Sequence, residues 1–265
     1  MPEVSFILPA LNEGRGIGKV IDRIPVRDLM TRGYEVNVWL LDGHSTDQTV
    51  TVARSRGARV FVQEGRGKGR AVSQALNHIR SDYVIMLDAD NTYDPKDAIP
   101  MMTLLEDGHD VVMGSRLNGL LGTNSMTLKN FIGNRLLSTT ASVLYARRVS
   151  DLCTGFWGFK GRVLRRLPID AKGFELEAQL FSRCARSGFV IGEVPISYGC
   201  RSGDVTKLRA ITSGMVILFS LFRERFRSKR SLKSGTKGQP AELSGSVLCT
   251  RVELPHLDGN ADTGR

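Results

Sequence analysis

Apolar and polar residues alternate along this chain with two rhythms. Compact apolar runs predict strands at residues 4–10 (VSFILPA), 35–42 (EVNVWLLD), 58–63 (ARVFVQ), 82–90 (DYVIMLDAD) and 110–116 (DVVMGSR). Helical spacing fills the intervals. Residues 16–24 place Ile17, Val20, Ile21 and Ile24 on one face, and 45–57 run from a cap-like Ser45 to Gly57. Residues 69–79 form a helix that would bury Val72, Ala75, Leu76 and Ile79. Strands alternating with helices predict an α/β fold with a Rossmann-like, mostly parallel sheet and helices on both faces.

The second half keeps no such regular beat, and no internal repeat is evident. Residues 125–146 read as one or two helices, and 154–161 (TGFWGFKG) as an aromatic, Gly-punctuated strand or turn. Residues 174–188 predict a helix burying Leu176, Leu180, Phe181 and Cys184, and 189–198 a strand. The apolar stretch 210–222 lies between Arg209 and Arg223 and is too short for a bilayer, which needs roughly 20 apolar residues. A basic run, 223–233, follows. Two readings stand: a buried C-terminal helix, or one lying in a membrane interface with Arg and Lys on lipid headgroups. After about residue 231 the composition turns to Gly, Ser, Thr, Lys and Pro, as in a disordered tail.

Charge narrows the choice of partner. A net charge of +10 suggests nucleic acid, an anionic lipid surface or a phosphorylated substrate. With 265 residues, 41% of them hydrophobic, the chain suits one domain with a proper core plus appendages. Cys153, Cys184, Cys200 and Cys249 show no metal-like or disulfide-like spacing, which suits a reducing cytosolic setting. The first residues lack the basic start and apolar stretch of a secretion signal.

Ligands of such sheets gather at the carboxyl ends of the strands. That rule puts residues 9–13, Asp42, Asp88, Asp90 and Arg116 along one rim. Residues two apart on a strand point the same way, so Asp88 and Asp90 would aim two carboxylates at one spot. They raise each other's pKa unless a cation separates them. Mg²⁺ or Mn²⁺ would do so, with water and substrate phosphate completing the shell. The plainer alternative is a pair of solvated turn carboxylates capping the next helix. Asp42 could accept from a ribose or a base N–H, or cap the helix after Ser45. Glu13 could contact a nucleotide or sit in the first turn of a helix. In GRGKGRA (65–71), Lys68 and the following helix N-terminus could meet a diphosphate, or the glycines form only a tight turn. This is not a phosphate-binding Walker motif, because Gly69 follows Lys68 where Ser or Thr belongs.

PALNE, DGHSTDQT, GRGKGRA, MLDADNTYDP and VVMGSR, in this order and spacing, resemble the family-2 glycosyltransferases of the type A fold. DLCTGFWGFK, GFELEAQLFSRCARSGFVIGEVPISY and RSGDVTKL resemble the dolichyl-phosphate (polyprenyl-phosphate) mannose synthase branch. The resemblance covers residues 3 to about 210. It implies that Pro9, Leu11, Glu13 and Asp42 hold the nucleoside, and that Asp88, Ala89 and Asp90 carry the metal and the donor diphosphate. It implies further that Arg116 faces a phosphate and that Arg201 and Lys207 close over the phosphates. Lys172 is a fainter candidate for the donor. Thr92 stands where some relatives carry a metal-binding Gln.

The chain so read has a catalytic domain at 1–208, a basic amphipathic or interfacial helix at 209–230 and a tail at 231–265. The implied reaction moves a hexose, with inversion, from a nucleoside diphosphate sugar to a polyprenyl or dolichyl monophosphate. The enzyme would sit on the cytoplasmic face of a membrane, bound to its anionic surface. A phosphate monoester has its second pKa near ~6 and is already an anion at neutral pH, so a dedicated base is less necessary. A family-2 enzyme with a soluble or polysaccharide acceptor would need a carboxylate base, for which Glu175 or Glu177 could serve. Nucleic acid is not the expected partner, because rim carboxylates repel phosphates unless a metal intervenes. A sugar nucleotidyltransferase would want a better Gly-rich loop after strand one than PALNEGRG.

Overall fold

The computed structural model describes residues 1–123, 125–200 and 210–228. Arg201, Lys207 and the tail predicted from 231 lie outside the described residues. The elements are β1 (Glu3–Ala10), α1 (Ile17–Asp22), α2 (Val26–Thr31), β2 (Glu35–Asp42), α3 (Thr49–Arg54), β3 (Arg59–Val62), α4 (Lys68–Ala75), β4 (Tyr83–Met86), α5 (Ala98–Glu106), β5 (Val111–Leu121), α6 (Leu128–Tyr145), β6 (Trp157–Lys160), α7 (Gly161–Leu164), α8 (Leu176–Arg186), β7 (Ile191–Tyr198) and α9 (Ala210–Phe226).

The strands form one seven-stranded sheet in the order β3-β2-β1-β4-β6-β5-β7. Only β6 runs against the rest, pairing antiparallel with both β4 and β5. Strand alternation divides the core into two layers. Val4, Phe6, Leu8, Ile85 and Leu87 pack with α1, α2 and α5 on one face. Ile7, Val84, Met86, Trp157 and Phe159 pack with α4, α8 and α9 on the other. Both faces are covered, so the ligand edge remains at the strand ends. The carboxyl ends of β1, β2, β4, β5 and β7 share that edge with the amino end of β6.

The predicted strands are all present, β2 with the predicted bounds and the others with shifted ends. β4 stops at Met86, and only the Leu87 N–H still reaches the Ile7 carbonyl, at 3.2 Å. Asp88 and Asp90 therefore belong to the loop beyond the strand, not to its alternation. α3 begins at Thr49 rather than near Ser45, because Asp42 takes the N–H groups of His44 and Ser45, Asn12 that of Thr46 and Asp47 that of Thr49, which shapes 44–49 as a turn. Residues 125–146 give a single helix, α6. The pattern reading passed over α2, α5 and α7; α5 contains Pro100, whose missing N–H costs nothing in a first helical turn.

α9 is half core. Ile217 and Leu221 enter the layer beneath α6 and α8, while Met215, Phe219, Phe222 and Phe226 stay exposed. A buried ion network ties its end to α8. Glu224 is fully buried and accepts from Arg183 Nε at 2.9 Å and Nη2 at 3.0 Å. Asp170 takes Arg183 at 2.7 Å and Arg227 at 2.8 Å. Burial pushes the Glu224 pKa up, but the hydrogen bonds and charge of Arg183 outweigh it and hold the group below the usual glutamate value. A depressed folded-state pKa gives stability that is complete above the unfolded value and lost as pH falls through the folded one. Amide exchange along α9 should therefore speed up on acidification below the ordinary glutamate range. Glu224→Gln should cost about 3 kcal/mol at neutral pH and flatten that acid step; an unchanged step would place the acid sensitivity elsewhere.

Candidate active site

The loop after β1 is pinned to the loop after β2. Asn12, at φ 57°, donates its N–H to Ser45 Oγ at 3.0 Å and accepts the Thr46 N–H at 2.8 Å. Glu13 N–H reaches Thr49 Oγ1 at 2.8 Å, and Gly14 N–H reaches Asp47 Oδ2 at 2.9 Å. Burial opposes the charge of Asp47, but hydrogen bonds from Thr49 and Gly14 prevail and lower its pKa. Pro9, Leu11 and Glu13 thus stand on a rigid ledge at the end of β1, with Leu11 exposed.

Asp42 is buried at the end of β2 and turns back on its own loop. It accepts from the His44 N–H at 3.1 Å and the Ser45 N–H at 3.2 Å. It shapes the turn rather than capping α3. A carboxylate has about four lone-pair sites, so capacity for a further donor remains. Gln63, just after β3, was not singled out from the sequence. It is 4% exposed, and its Oε1 has no partner among the described residues. The available signal was a polar residue placed directly after an apolar strand, at the rim.

Asp88 and Asp90 differ in their surroundings. Asp88 Oδ1 accepts from Lys68 Nζ at 2.6 Å. Lys68 also reaches Glu177 Oε1 at 2.7 Å. Burial works against the charge on Lys68, but Asp88 and Glu177 outweigh it and raise its pKa. Burial raises the pKa of Glu177, against the pull of Lys68. Asp90 Oδ1 takes the Thr92 hydroxyl at 2.6 Å and the Thr92 N–H at 3.1 Å. Thr92 thus supports Asp90 by hydrogen bonding. Ala89, between the two acids, is buried.

The glycines of GRGKGRA have a packing role. A Cβ at Gly67 or Gly69 would overlap the carbonyls of Lys172 and Ala171, so α4 starts hard against that backbone. This contact sets Lys68 between Asp88 and Glu177. Lys172 contributes its backbone here, and its side chain is exposed. Glu175 accepts the N–H of Lys172 at 2.8 Å and of Gly173 at 3.2 Å. Burial would raise its pKa, but these bonds lower it. A carboxylate tied in this way to the turn before α8 is ill placed to act as a base.

Arg116, expected at a phosphate, is paired with a carboxylate of the protein. Its Nε and Nη2 each lie 2.7 Å from an oxygen of Asp151, a fork-to-fork pair. Asp151 is fully buried and also accepts from Asn134 of α6 at 2.6 Å. The guanidinium stacks on the Tyr198 ring at 5.1 Å. Its charge is already neutralised, so it braces the rim. Tyr93 completes the brace: its hydroxyl accepts the Gly155 N–H at 2.7 Å, and its ring meets Phe156 and Tyr198 edge-on. Asp151, Tyr93 and Tyr198 were not singled out from sequence.

The donor set suits a hard cation. Asp88 meets Lys68 through Oδ1 and Gly155 through Oδ2, and Asp90 Oδ1 is oriented by Thr92. Among the described residues no group of three or more His, Cys, Asp or Glu could hold a metal alone. A cation here would take its remaining ligands from water and a substrate diphosphate, as magnesium-type ions do.

Residues 5–167 match the family described as Glycosyl transferase family 2, and the chain belongs to that family. It is 32% identical to glycosyltransferase AglJ of Haloferax volcanii over 94% of this chain and 80% of that protein. It is 35% identical to a dolichyl-phosphate hexose transferase of the same organism over 81% of this chain and 90% of the relative. Glucosyl-3-phosphoglycerate synthase of Mycobacterium tuberculosis, crystallised with Mn²⁺, UDP and glucosyl-3-phosphoglycerate, superposes with a TM-score of 0.65 at 25% identity, covering 84% of this chain and 80% of that one. The protein is therefore a glycosyltransferase of type A fold, with a rim suited to a nucleotide sugar.

Proposed function

We propose that this enzyme transfers a hexose from a nucleoside diphosphate sugar to a polyprenyl or dolichyl monophosphate, with inversion at the anomeric carbon. The donor nucleoside would rest on Pro9, Leu11, Glu13 and Asp42. Asp88 and Asp90 would hold Mg²⁺ or Mn²⁺, which stabilises a departing diphosphate. Arg201 and Lys207 are proposed to steady the acceptor phosphate; both lie outside the described residues. Glu175 is committed to backbone N–H groups and Glu177 to Lys68, which favours an acceptor that brings its own anionic nucleophile.

The observation that carries the lipid reading is an exposed apolar surface. Leu128, Ile132, Leu136 and Val143 recur at helical spacing along the open side of α6. The other side of α6 buries Asn134 and Ser138 against the Asp151 loop. α9 packs beside α6 and exposes Met215, Val216, Phe219, Phe222 and Phe226. Exposed Lys129, Arg135, Arg147, Arg148 and Arg223 accompany these stripes. An apolar surface with basic residues around it suits the headgroup region of an anionic bilayer. Among the described residues no helix is long and apolar enough to cross a membrane. The exposed apolar and basic surface supports a peripheral seat, proposed here on the cytoplasmic face of a membrane. The relative named as a dolichyl-phosphate hexose transferase supports the same acceptor class.

A second reading has its own support. The Mycobacterium tuberculosis structure holds a soluble phosphorylated acceptor product. One assay separates the two. Purified protein with Mn²⁺ and labelled UDP-glucose, UDP-N-acetylglucosamine or GDP-mannose is offered polyprenyl phosphate or 3-phosphoglycerate. Label in the organic phase supports the lipid reading; label confined to water-soluble product with 3-phosphoglycerate overturns it. Ile132→Glu with Phe219→Glu should weaken binding to phosphatidylserine vesicles at least about a hundredfold, since each burial is worth roughly 1.5–3 kcal/mol. Undiminished binding would exclude this surface.

A further inference from the structure

We propose that Lys68 is a built-in counter-ion that withholds Asp88 from a free divalent cation, so that the cation enters together with the donor diphosphate. This rests on the assignment of Asp88 and Asp90 as the cation-holding pair.

The geometry gives Lys68 no neutral role. Its ammonium lies 2.6 Å from Asp88 and 2.7 Å from Glu177, with the three side chains 23%, 34% and 12% exposed. Solvent therefore screens the trio weakly. The parts around it are fixed. Gly67 and Gly69 press α4 onto the carbonyls of Lys172 and Ala171, so the base of Lys68 has no room to withdraw. Gly155 closes the other side of Asp88, where a Cβ would overlap the carboxylate. Gly155 is itself held by Tyr93 at 2.7 Å. Asp88 is thus wedged against the ammonium.

Consider a bare cation at this rim. To use Asp88 Oδ1 it must drive one positive charge away from a site whose other carboxylate, Glu177, still needs that charge. It brings nothing in return. A cation that arrives on a diphosphate brings two phosphates' worth of anion, towards which a displaced ammonium can turn. The lysine therefore penalises the bare ion and tolerates the complex. It also holds the Asp88 carboxylate in place in the free protein.

The test is Mn²⁺ binding followed by the electron paramagnetic resonance of the free aqua ion. Lys68→Met with Glu177→Gln removes one positive and one negative charge, so the site keeps the net charge of the wild type while Asp88 Oδ1 is released. This double variant should bind Mn²⁺ alone at least ~10-fold more tightly than wild type, a change of about 1.4 kcal/mol. Wild type should tighten at least ~10-fold on addition of UDP or GDP, and the double variant by clearly less. Lys68→Arg, which keeps the charge, should behave as wild type. Lys68→Gln with Glu177→Gln serves if methionine loosens the fold. A double variant no tighter than wild type without nucleotide overturns this inference and leaves the site assignment standing. A wild type that takes up no Mn²⁺ even with UDP or GDP overturns the assignment itself.

Discussion

Asp90→Ala should lower the turnover of sugar transfer by about a thousandfold or more while leaving the melting temperature within a few degrees. A metal held at a leaving diphosphate supplies several kcal/mol of charge stabilisation, and about 4 kcal/mol corresponds to three orders of magnitude in rate. The fold should survive because Asp90 lies in the loop beyond β4, at the rim, with its carboxylate on Thr92 rather than in the core. Thr92→Val should have a smaller effect in the same direction, since it removes the hydroxyl that orients Asp90 but no formal charge. Turnover assays on both variants at saturating donor check the claim. Near-normal turnover of Asp90→Ala would remove the metal role.

The second large effect is on stability. Asp151→Ala strands the guanidinium of Arg116, 8% exposed, without its carboxylate. Breaking a buried pair from one side costs about 3–5 kcal/mol, roughly a 10–15 °C loss of melting temperature for a chain of this size. Arg116→Lys should be nearly as damaging, because a point ammonium cannot reproduce a fork that makes both bonds to Asp151. Arg116→Met with Asp151→Asn should regain part of the stability, since no charge is left unpaired and the amide oxygen can still accept one of the N–H groups, from Asn134 or from residue 116, that Asp151 holds. Its activity is then informative: if Arg116 only braces the rim, the stable double variant keeps part of its turnover. Thermal denaturation of the three proteins, followed by assay of the double variant, checks both points.

What could be read from the sequence was local. The strands declared themselves as apolar runs, and each gave way to polar residues at the edge where ligands bind. That is why the sequence alone suggested Asp42, Asp88 and Asp90 as rim residues. The strand ends were less legible. Alternation suggested that β4 continued to Asp90, whereas the chain leaves the sheet after Met86. α2 buries only Leu29, so no apolar spacing marks it. The partners across the fold were invisible. Lys68 and Glu177 stand 109 positions apart, Arg116 and Asp151 35, Arg183 and Glu224 41. A single sequence carries no signal that joins such pairs, so the resemblance suggested a phosphate for Arg116 while its partner Asp151 went unnoticed. The glycines around Lys68 were read as a turn or a phosphate loop, and only packing shows that they make room for residues 171 and 172. The apolar stripe of α9 was visible as a run; its companion on α6 was not, because the helix mixes Asn, Ser and Thr among its leucines.

Isothermal titration of UDP and of GDP into the protein, with Mn²⁺ and with a chelator, tests the centre of this account most directly. One nucleotide should release heat that requires Mn²⁺ and disappears in Asp90→Asn. Nucleotide binding that is indifferent both to the ion and to Asp90 would contradict it.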